Sequence, residues 1–406
     1  MPAVRSSESE SLRMIAAQSS SGFQPLPLAL YVHWPFCVTK CPYCDFNSHV
    51  RADVDQADWR AALLADLAHE AALTTGHRLT SIFFGGGTPS LMPPATVEAI
   101  ITAARRHWES APDLEITLEA NPSSVEAARF ADFAAAGINR VSLGLQALDD
   151  AALKLLGRPH TLAEGLAALD VAQRHFSRVS FDLIHSRPGQ TPAMWEAELT
   201  RALGFGTTHL SAYQLTIEPG TRFHLLHAKG LLSLPDEEAA ATMFEMTGSL
   251  CAAHGLPLYE VSNHAVPGHE SRHNLAYWTY APYAGIGPGA HGRRGHRATQ
   301  RLRRPENWLS SVKMHGHGLE AESPVPPADA ASEALLMGLR LADGIDAIQF
   351  EAHSGVPLAD VVDRAAVERL TAMGLVAPGA RLTVTPAGRL LLNHLIAMLR
   401  ADLNPA

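Results

Sequence analysis

The stretch WPFCVTKCPYCDF, residues 34–46, places three of the chain's four cysteines within eight positions. Cys37, Cys41 and Cys44 follow a C-x3-C-x2-C spacing. Closely spaced thiolates are typical ligands of iron–sulfur clusters, whereas structural zinc takes four ligands, commonly in two separated pairs. A histidine could complete a zinc site, so zinc remains an alternative. Three thiols favour a four-iron cluster whose fourth iron is open to a small molecule.

Composition limits the class of protein. The chain has 406 residues, of which 47% are hydrophobic and 18% charged, as in soluble globular proteins. A net charge of −9 argues against a nucleic-acid partner. Residues 1–27 are serine-rich and lack the pattern of a signal peptide, so we predict a disordered tail and a cytoplasmic protein. Cys251 lies in an apolar segment, and we predict a buried core thiol there.

Short apolar runs alternate with longer amphipathic segments from residue 28 onward. The predicted strands are 28–34, 79–84, 114–120, 140–146, 178–184 and 209–215, and the clearest predicted helices are 58–75 and 161–176. Strand and helix repeated six times predict a parallel sheet with right-handed crossovers. Six such units can form an open doubly wound sheet or an incomplete barrel.

Chemically capable residues follow the predicted strands. The cysteine loop follows the first strand and GGGTPS, residues 85–90, follows the second. The later strands carry, at or near their ends, Glu119, Asn121, Gln146, Asp182, Tyr213 and Gln214. Since active sites of parallel sheets and barrels lie at the carboxyl ends of the strands, we expect these side chains to meet there.

The second half of the chain is less regular. Residues 257–292 are rich in Gly, Pro and His, and we expect loops folded over the site. Six arginines between 293 and 304 predict a solvated connector or, alternatively, an anion-binding surface. A helix, a hairpin and a last helix opened by Thr385-Pro386 predict a small winged-helix-like domain. The predicted divisions are a barrel over 28–290, a connector over 291–330 and a C-terminal domain over 331–406.

The cysteine motif, with Tyr43 before its last cysteine, and the GGGTPS motif resemble the radical S-adenosylmethionine (SAM) proteins. The resemblance implies an α/β fold, a partial (βα)6 radical-SAM barrel with a small C-terminal winged-helix-like α+β domain. It also implies a [4Fe–4S] cluster held by the three cysteines, with SAM on the open iron. Gly86, Gly87 and Thr88 match the family's glycine motif.

Further motifs resemble the oxygen-independent coproporphyrinogen III oxidase-like branch of that family, namely LEANP, RVSLGLQ, LGRPHT and RPGQT. This resemblance implies a SAM site formed by Tyr31, Tyr43, Gly86, Gly87, Thr88, Glu119, Gln146, Arg158 and Asp182. Without it, the preferred interpretations are a surface residue at a helix end for Arg158 and a cap of the following turn for Asp182.

Two members of this branch differ beside the cysteines. The oxidases carry a further cysteine where this chain has Phe46. The HemW-type haem chaperones carry an H-N-x-x-Y-W motif implicated in haem binding, which HNLAYW matches with His273, Asn274, Tyr277 and Trp278. An imidazole is a common axial haem ligand. Judged by residue type alone, however, a histidine such as His273 is more often a hydrogen-bonding structural residue than a metal ligand.

The resemblance therefore implies a haem chaperone that binds haem, the cluster and SAM and delivers haem to an unidentified acceptor protein, for which a membrane-associated protein is one option. A reductant for the cluster is implied too, and no catalytic residue is assigned. The alternative is an enzyme, the radical SAM oxidase of coproporphyrinogen III. One segment departs from the family pattern DLIYGLPGQT, because this chain has His185, Ser186 and Arg187 there. We expect a changed backbone beside Asp182.

Overall fold

The computed structural model describes residues 25–51 and 53–401. The predicted tail therefore lies almost wholly outside the described residues, and its last residue, Pro27, already begins the first strand. The strands are β1 (Pro27–Trp34), β2 (Phe36–Cys37), β3 (His49–Val50), β4 (Arg78–Gly86), β5 (Glu109–Ala120), β6 (Arg140–Gln146), β7 (Arg178–His185), β8 (His209–Gln214), β9 (Leu258–Glu260), β10 (Asn263–Ala265), β11 (Tyr283–Ile286), β12 (His291–Arg294), β13 (Arg297–Arg301), β14 (Leu319–Pro324), β15 (Val376–Ala377) and β16 (Thr383–Val384).

Helices separate most of the long strands. They are α1 (Gln56–Leu73), α2 (Pro94–His107), α3 (Ser124–Ala127), α4 (Phe130–Ala135), α5 (Asp150–Leu155), α6 (Leu162–His175), α7 (Pro192–Leu203), α8 (Arg222–Ala228), α9 (Glu237–Ala253), α10 (Arg272–Trp278), α11 (Pro305–His315), α12 (Pro327–Gly338), α13 (Ala347–Ser354), α14 (Leu358–Val361), α15 (Arg364–Ala372), α16 (Pro386–Arg389) and α17 (Leu392–Leu399).

The six predicted strands are all present, as β1 and β4 to β8. They lie side by side in the order β1-β4-β5-β6-β7-β8, and every neighbouring pair is parallel. A doubly wound sheet would instead reverse direction from a central first strand. Sequential order is the order of a barrel, so the alternative of an open doubly wound sheet is wrong.

The two faces of these strands differ in chemistry. Residues that alternate with each other along a strand point to opposite faces. On one face, Leu30, Ile82, Ile116 and Val141 belong to the main hydrophobic core, which also contains the buried residues of α1 and α2. The opposite face carries small and polar residues, listed strand by strand as Tyr31, His33, Ser81, Phe83, Gly85, Thr117, Glu119, Arg140, Ser142, Gly144, Ser180, Asp182, His209 and Ser211. Barrels filled by packing have branched apolar residues there.

The segment 257–292, for which we expected loops, contains β9, β10, α10 and β11. Strand β11 pairs in parallel with β1 and extends the sheet, and β9 and β10 extend its other edge behind β8. The expectation of loops is therefore wrong. Its many Gly and Pro residues concealed short elements that contain too few residues to show a periodicity.

The arginine-rich segment is also part of the sheet, because β12, β13 and β14 pair as antiparallel strands after β11. Arg301 is fully buried and pairs with Asp66 and Glu70 of α1. The guanidinium of Arg293 lies 3.4 Å from the centre of the Tyr280 ring. These arginines are structural, which neither the connector nor the anion-binding prediction anticipated.

The C-terminal part has its own hydrophobic core, which includes Leu335, Phe350, Leu370 and Leu395. Val376 of β15 pairs with Val384 of β16 in the predicted hairpin. The Thr385 side chain caps α16, with Pro386 as the first helical residue. Among the described residues, no helix has the length and apolarity needed to cross a membrane.

Candidate cofactor and haem site

The three clustered cysteines lie at the carboxyl end of β1. Cys37 belongs to β2, which pairs with β3 so that Cys37 faces Val50, and this pairing closes the loop that carries Cys41 and Cys44. The Cys44 amide donates to the Cys41 carbonyl oxygen at 3.2 Å. All three thiols are half-buried, whereas Cys251 is fully buried in the core, as predicted.

The surroundings of the sulfurs fit the binding of metal ions. Burial raises the pKa of the Cys37 and Cys44 thiols, and repulsion from the neighbouring cysteines adds to this. The positive charge of bound metal favours thiolates in such a place. Within residues 25–51 and 53–401, no three His, Cys, Asp or Glu side chains are arranged to hold one ion. In a four-iron cluster, each cysteine binds a different iron.

Polar donors contact two of the sulfurs. Arg158 Nη1 donates to Cys41 Sγ at 3.3 Å, and Thr88 Oγ1 donates to Cys37 Sγ at 3.5 Å. Asn121 connects these two donors, because its Oδ1 accepts from Arg158 Nη2 at 2.5 Å and its Nδ2 donates to Thr88 Oγ1 at 3.1 Å. The sequence identified Asn121 as a strand-end residue but did not assign it to the SAM site. Its position in LEANP, directly after Glu119 and Ala120, was the available signal.

The glycine motif lies against the cysteine loop. The Gly87 and Thr88 amides donate to the carbonyl oxygens of Trp34 and Phe36 at 2.7 and 2.8 Å. A Cβ on Gly87 would lie 2.7 Å from the Phe36 oxygen and 3.0 Å from Cys37 Sγ. Gly86 has a φ of 114°, which side chains other than glycine rarely adopt. Glycine is thus required for the two loops to approach each other.

Two carboxyl groups lie on the inner face of the strands, where strong pKa shifts indicate a functional site. Burial and, less strongly, the neighbouring Asp182 raise the pKa of Glu119 to about 8, although the Gly86 amide and Arg140 oppose this. Burial also raises the pKa of Asp182, which accepts from Ser142 Oγ at 3.3 Å. These two carboxyls can accept hydrogen bonds from a ribose or an amino group.

The remaining residues predicted for SAM surround the same place. The Tyr31 hydroxyl is hydrogen-bonded to His33 Nδ1 at 3.0 Å. The Tyr43 ring lies 6.2 Å from the Phe223 ring, and burial raises the Tyr43 pKa. Gln146 adopts a φ of 69°, unusual for a residue other than glycine. The structure therefore brings all nine predicted SAM residues to the carboxyl half of the barrel.

The segment that departs from the family pattern lies beside Gln146. Ser186, which replaces a glycine, has a φ of 57°. Arg187 forms a buried ion pair with Glu198 of α7, and its Nη1 also donates to the Gln146 carbonyl oxygen at 3.4 Å. Ser186 thus adopts a conformation that glycine favours. Arg187 adds a contact to the turn after β6.

The haem motif occupies a helix rather than a loop. His273 of α10 is 2% exposed, and its Nδ1 is hydrogen-bonded to Ser81 Oγ at 3.0 Å. Burial lowers the His273 pKa to about 3, so its imidazole is neutral. Its Nε2 is buried and has no hydrogen-bond partner among the described residues. A neutral imidazole with one free nitrogen is the form that binds a haem iron.

The other residues of the motif fix α10 to the sheet. The Asn274 side chain donates to the Tyr259 hydroxyl at 3.4 Å. The Tyr277 ring packs against those of His273 and Tyr283 at 4.9 and 4.5 Å. Trp278 lies under the guanidinium of Arg340, 5.8 Å from the ring centre. Of the four, only His273 has a buried side-chain atom without a hydrogen-bond partner among the described residues.

Comparison with known proteins places this geometry in a family. The Radical SAM superfamily profile matches residues 31–202, and the HemN C-terminal domain profile matches residues 325–391. The coproporphyrinogen III oxidase HemN from Escherichia coli, a radical SAM enzyme, superposes with a TM-score of 0.76 over 95% of this chain and 92% of its own. At 22% identity this likeness concerns the fold, and it confirms the predicted partial barrel.

Other proteins are more similar to this chain in sequence than HemN is. Heme chaperone HemW of Escherichia coli is 38% identical over 93% of this chain and 99% of its own length. Heme chaperone HemW of Haemophilus influenzae is 35% identical over 92% and 97%. The mitochondrial radical S-adenosyl methionine domain-containing protein 1 of Bos taurus is 42% identical over 78% and 74%. The chain therefore belongs to the HemW heme chaperone family of radical SAM proteins.

Proposed function

We propose that this protein is a haem chaperone, which binds haem together with a [4Fe–4S] cluster and SAM and delivers the haem to an acceptor protein. The observation that carries the proposal is the free, buried Nε2 of His273 in a motif shared with proteins named for haem handling. A buried polar atom without a partner is costly and calls for an explanation. An axial bond to haem iron would supply it.

Cys37, Cys41 and Cys44 would hold the cluster, and Gly86, Gly87, Thr88 and Arg158 would bind the methionine part of SAM. Glu119 and Asp182 would accept hydrogen bonds from its polar groups, with Tyr31, Tyr43 and Gln146 around them. When bound, the cluster supplies an electron to SAM. We further propose a cytoplasmic protein that needs a reductant for the cluster. We also propose that the C-terminal domain begins near residue 331 and that Asn274, Tyr277 and Trp278 take part in haem binding.

The second candidate is oxidative decarboxylation of coproporphyrinogen III, which the fold shared with HemN favours. The position of the further oxidase cysteine is held by Phe46, whose side chain is 60% exposed and supplies no sulfur. This difference, and the higher identity to the HemW proteins, make the chaperone the stronger proposal.

One anaerobic experiment separates the two functions. The protein is reconstituted with iron and sulfide and supplied with SAM and a reductant. Haem binding is followed by absorbance, and conversion of coproporphyrinogen III is followed in parallel. We expect bound haem and no divinyl product. Formation of the divinyl product, in which two propionates of coproporphyrinogen III have become vinyl groups, would establish the oxidase instead. Failure to bind haem would contradict the proposed chaperone function.

A further inference from the structure

The inner face of the barrel contains a buried positive charge with almost no partner. Arg140, the first residue of β6, is 3% exposed. Its one side-chain hydrogen bond within the described residues is from Nη1 to Thr117 Oγ1, at 3.5 Å. No described carboxylate lies within ion-pair distance of it. A buried cation without a partner costs several kcal/mol, so such a group is unusual unless a ligand completes it.

Other charged groups nearby do not provide Arg140 with an ion-pair partner. Glu119 and Asp182 are close enough for Arg140 to lower their pKa, but neither forms an ion pair with it. Burial keeps the pKa of Glu119 at about 8, so this carboxyl is protonated at neutral pH. Arg178, the register neighbour of Arg140 on β7, adds a positive charge that Glu115 already pairs at 2.9 Å.

Small polar side chains predominate on the side of Arg140 that leads to the SAM residues. In the layers of the strands above it, the inner positions Ser142, Gly144, Ser180 and Ser211 have small or no side chains, and His209, which is bonded to Ser180, and Asp182 have larger ones. Half-buried Glu119 and Asp182 and exposed Tyr213 continue this polar face toward the carboxyl ends of the strands. This polar face connects Arg140 with the SAM residues.

His273 belongs to the same environment. His273 is bonded to Ser81 of β4, and Arg140 is bonded to Thr117 of the neighbouring strand β5. After burial, the positive charge of Arg140 also lowers the pKa of the His273 imidazole. One is a neutral nitrogen without a partner and the other a guanidinium without a carboxylate. A porphyrin that carries both iron and carboxylates is one ligand that could satisfy both.

We propose that Arg140 binds a carboxylate of the ligand in the barrel interior, and that this carboxylate is a haem propionate. The inference rests on the proposed function and adds a residue that the haem motif does not contain. Guanidinium groups bind carboxylates through paired, charge-assisted hydrogen bonds, which makes arginine suited to a propionate. The other carboxylate source is the methionine part of SAM, for which Arg158 is already placed beside Cys41.

The test compares ferric haem with its dimethyl ester, which keeps the iron and the ring but has no propionate charge. Both are titrated anaerobically into the protein with its cluster, and absorbance gives the dissociation constants. We expect wild type to bind haem about ten- to a hundredfold more tightly than the diester, the range of one charged hydrogen-bonded pair. Arg140→Gln should bind the two equally, and Arg140→Lys should recover part of the difference.

Arg303→Gln is the matched control, because it removes one exposed positive charge beside the cysteine loop. It should leave the ratio of the two affinities unchanged. Iron content and thermal unfolding identify variants that do not fold, and in that case the wild-type ratio alone decides. Equal binding of haem and diester by wild type overturns the inference but leaves the chaperone proposal intact.

Binding of SAM is measured on the same variants. If Arg140→Gln weakens SAM and leaves the ratio between haem and diester unchanged, the carboxylate is that of SAM and the inference is wrong. If neither haem nor diester binds to wild type, the proposed function itself fails. The two failures are thus distinguishable.

Discussion

The cysteine loop and the haem helix meet at the inner face of one barrel but are built in opposite ways. The loop presents three half-buried sulfurs, and its contacts with Thr88 and Arg158 are made by groups that face a ligand site. Helix α10 is fixed by backbone donors to Glu115 and by the bond between His273 and Ser81. Among the described residues, the His273 Nε2 is the one buried side-chain atom of its motif without a hydrogen-bond partner. The cysteines of the loop are accessible to a ligand, whereas the proposed haem ligand is a histidine that is 2% exposed.

This contrast shows that the sequence determines the geometry of the cysteine motif more fully than that of the HNLAYW motif, although the two are similar in length. Cysteines three and four positions apart in one loop are close together whatever the rest of the fold does. A histidine on a short helix gains its surroundings from β4 and β5, which are distant in sequence. Variants of each region show whether the difference in preparation has functional consequences.

Loss of one sulfur should have the largest effect. Cys41→Ser removes a cluster ligand, and we expect iron after anaerobic reconstitution to fall from about four to below about one per chain. Cys251→Ala is the matched control, since Cys251 is a core thiol remote in sequence from the loop, and it should retain the iron. Iron and sulfide analysis with electron paramagnetic resonance measures both. Equal iron in Cys41→Ser and wild type would mean that the loop does not hold the cluster.

The haem helix is tested by His273→Ala. We expect haem affinity to fall at least about tenfold, since an axial ligand is lost, while the cluster remains. Ser81→Ala keeps the imidazole and removes only its Nδ1 partner, so its effect should be smaller. His254→Ala, at an exposed helix end, is the neutral control. Unchanged haem affinity in His273→Ala would show that another residue binds the haem iron and that α10 is not the haem site.

The raised pKa of Glu119, one of the residues proposed to bind SAM, is tested by Glu119→Gln. The folded pKa of Glu119 is about 8, well above the usual 4.5, so between these values the unfolded chain has released a proton that the folded chain keeps. Ligand-free wild type should therefore lose stability relative to Glu119→Gln as pH rises from 6 to 8. The loss is at most about 1.4 kcal/mol per pH unit, and less where water reaches the carboxyl.

Urea unfolding of both proteins at pH 6, 7 and 8 measures this difference. The contribution of Asp182 is present in both proteins and largely cancels. A constant difference across this range would show that Glu119 is ionised in the folded protein, and that its pKa is not raised by burial beside Asp182.

The smallest effect is expected at Ser186, which has a φ of 57° where the family has glycine. Ser186→Gly should relieve this strain and raise the free energy of unfolding by about 0.5–1 kcal/mol. Ser249→Gly, on the exposed face of α9, should lower it, because glycine weakens a helix interior. Thermal unfolding measures both. A destabilised Ser186→Gly would show that the bond between the Ser186 hydroxyl and His185 outweighs the strain.

Much of the fold was predictable. The strand predicted over 140–146 coincides with β6, and the others differ from the structure mainly at their ends. Buried parallel strands are continuous apolar runs, so they are visible without knowledge of their neighbours. The short elements between 257 and 324 were missed because their pairing depends on β1 and β8, which lie far away in the sequence.

The sequence by itself determined the six strands, the cysteine loop and the family. These depend on local spacing, since apolar runs form strands and thiols a few positions apart share a loop. Only the tertiary structure decided that His273 is buried with one free nitrogen, that Arg301 is paired in the interior, and that Arg140 is not. The reason is physical. Whether an arginine is solvated, paired with a carboxylate or left without a partner depends on the strands and helices that fold around it. Those contacts join residues far apart in the chain.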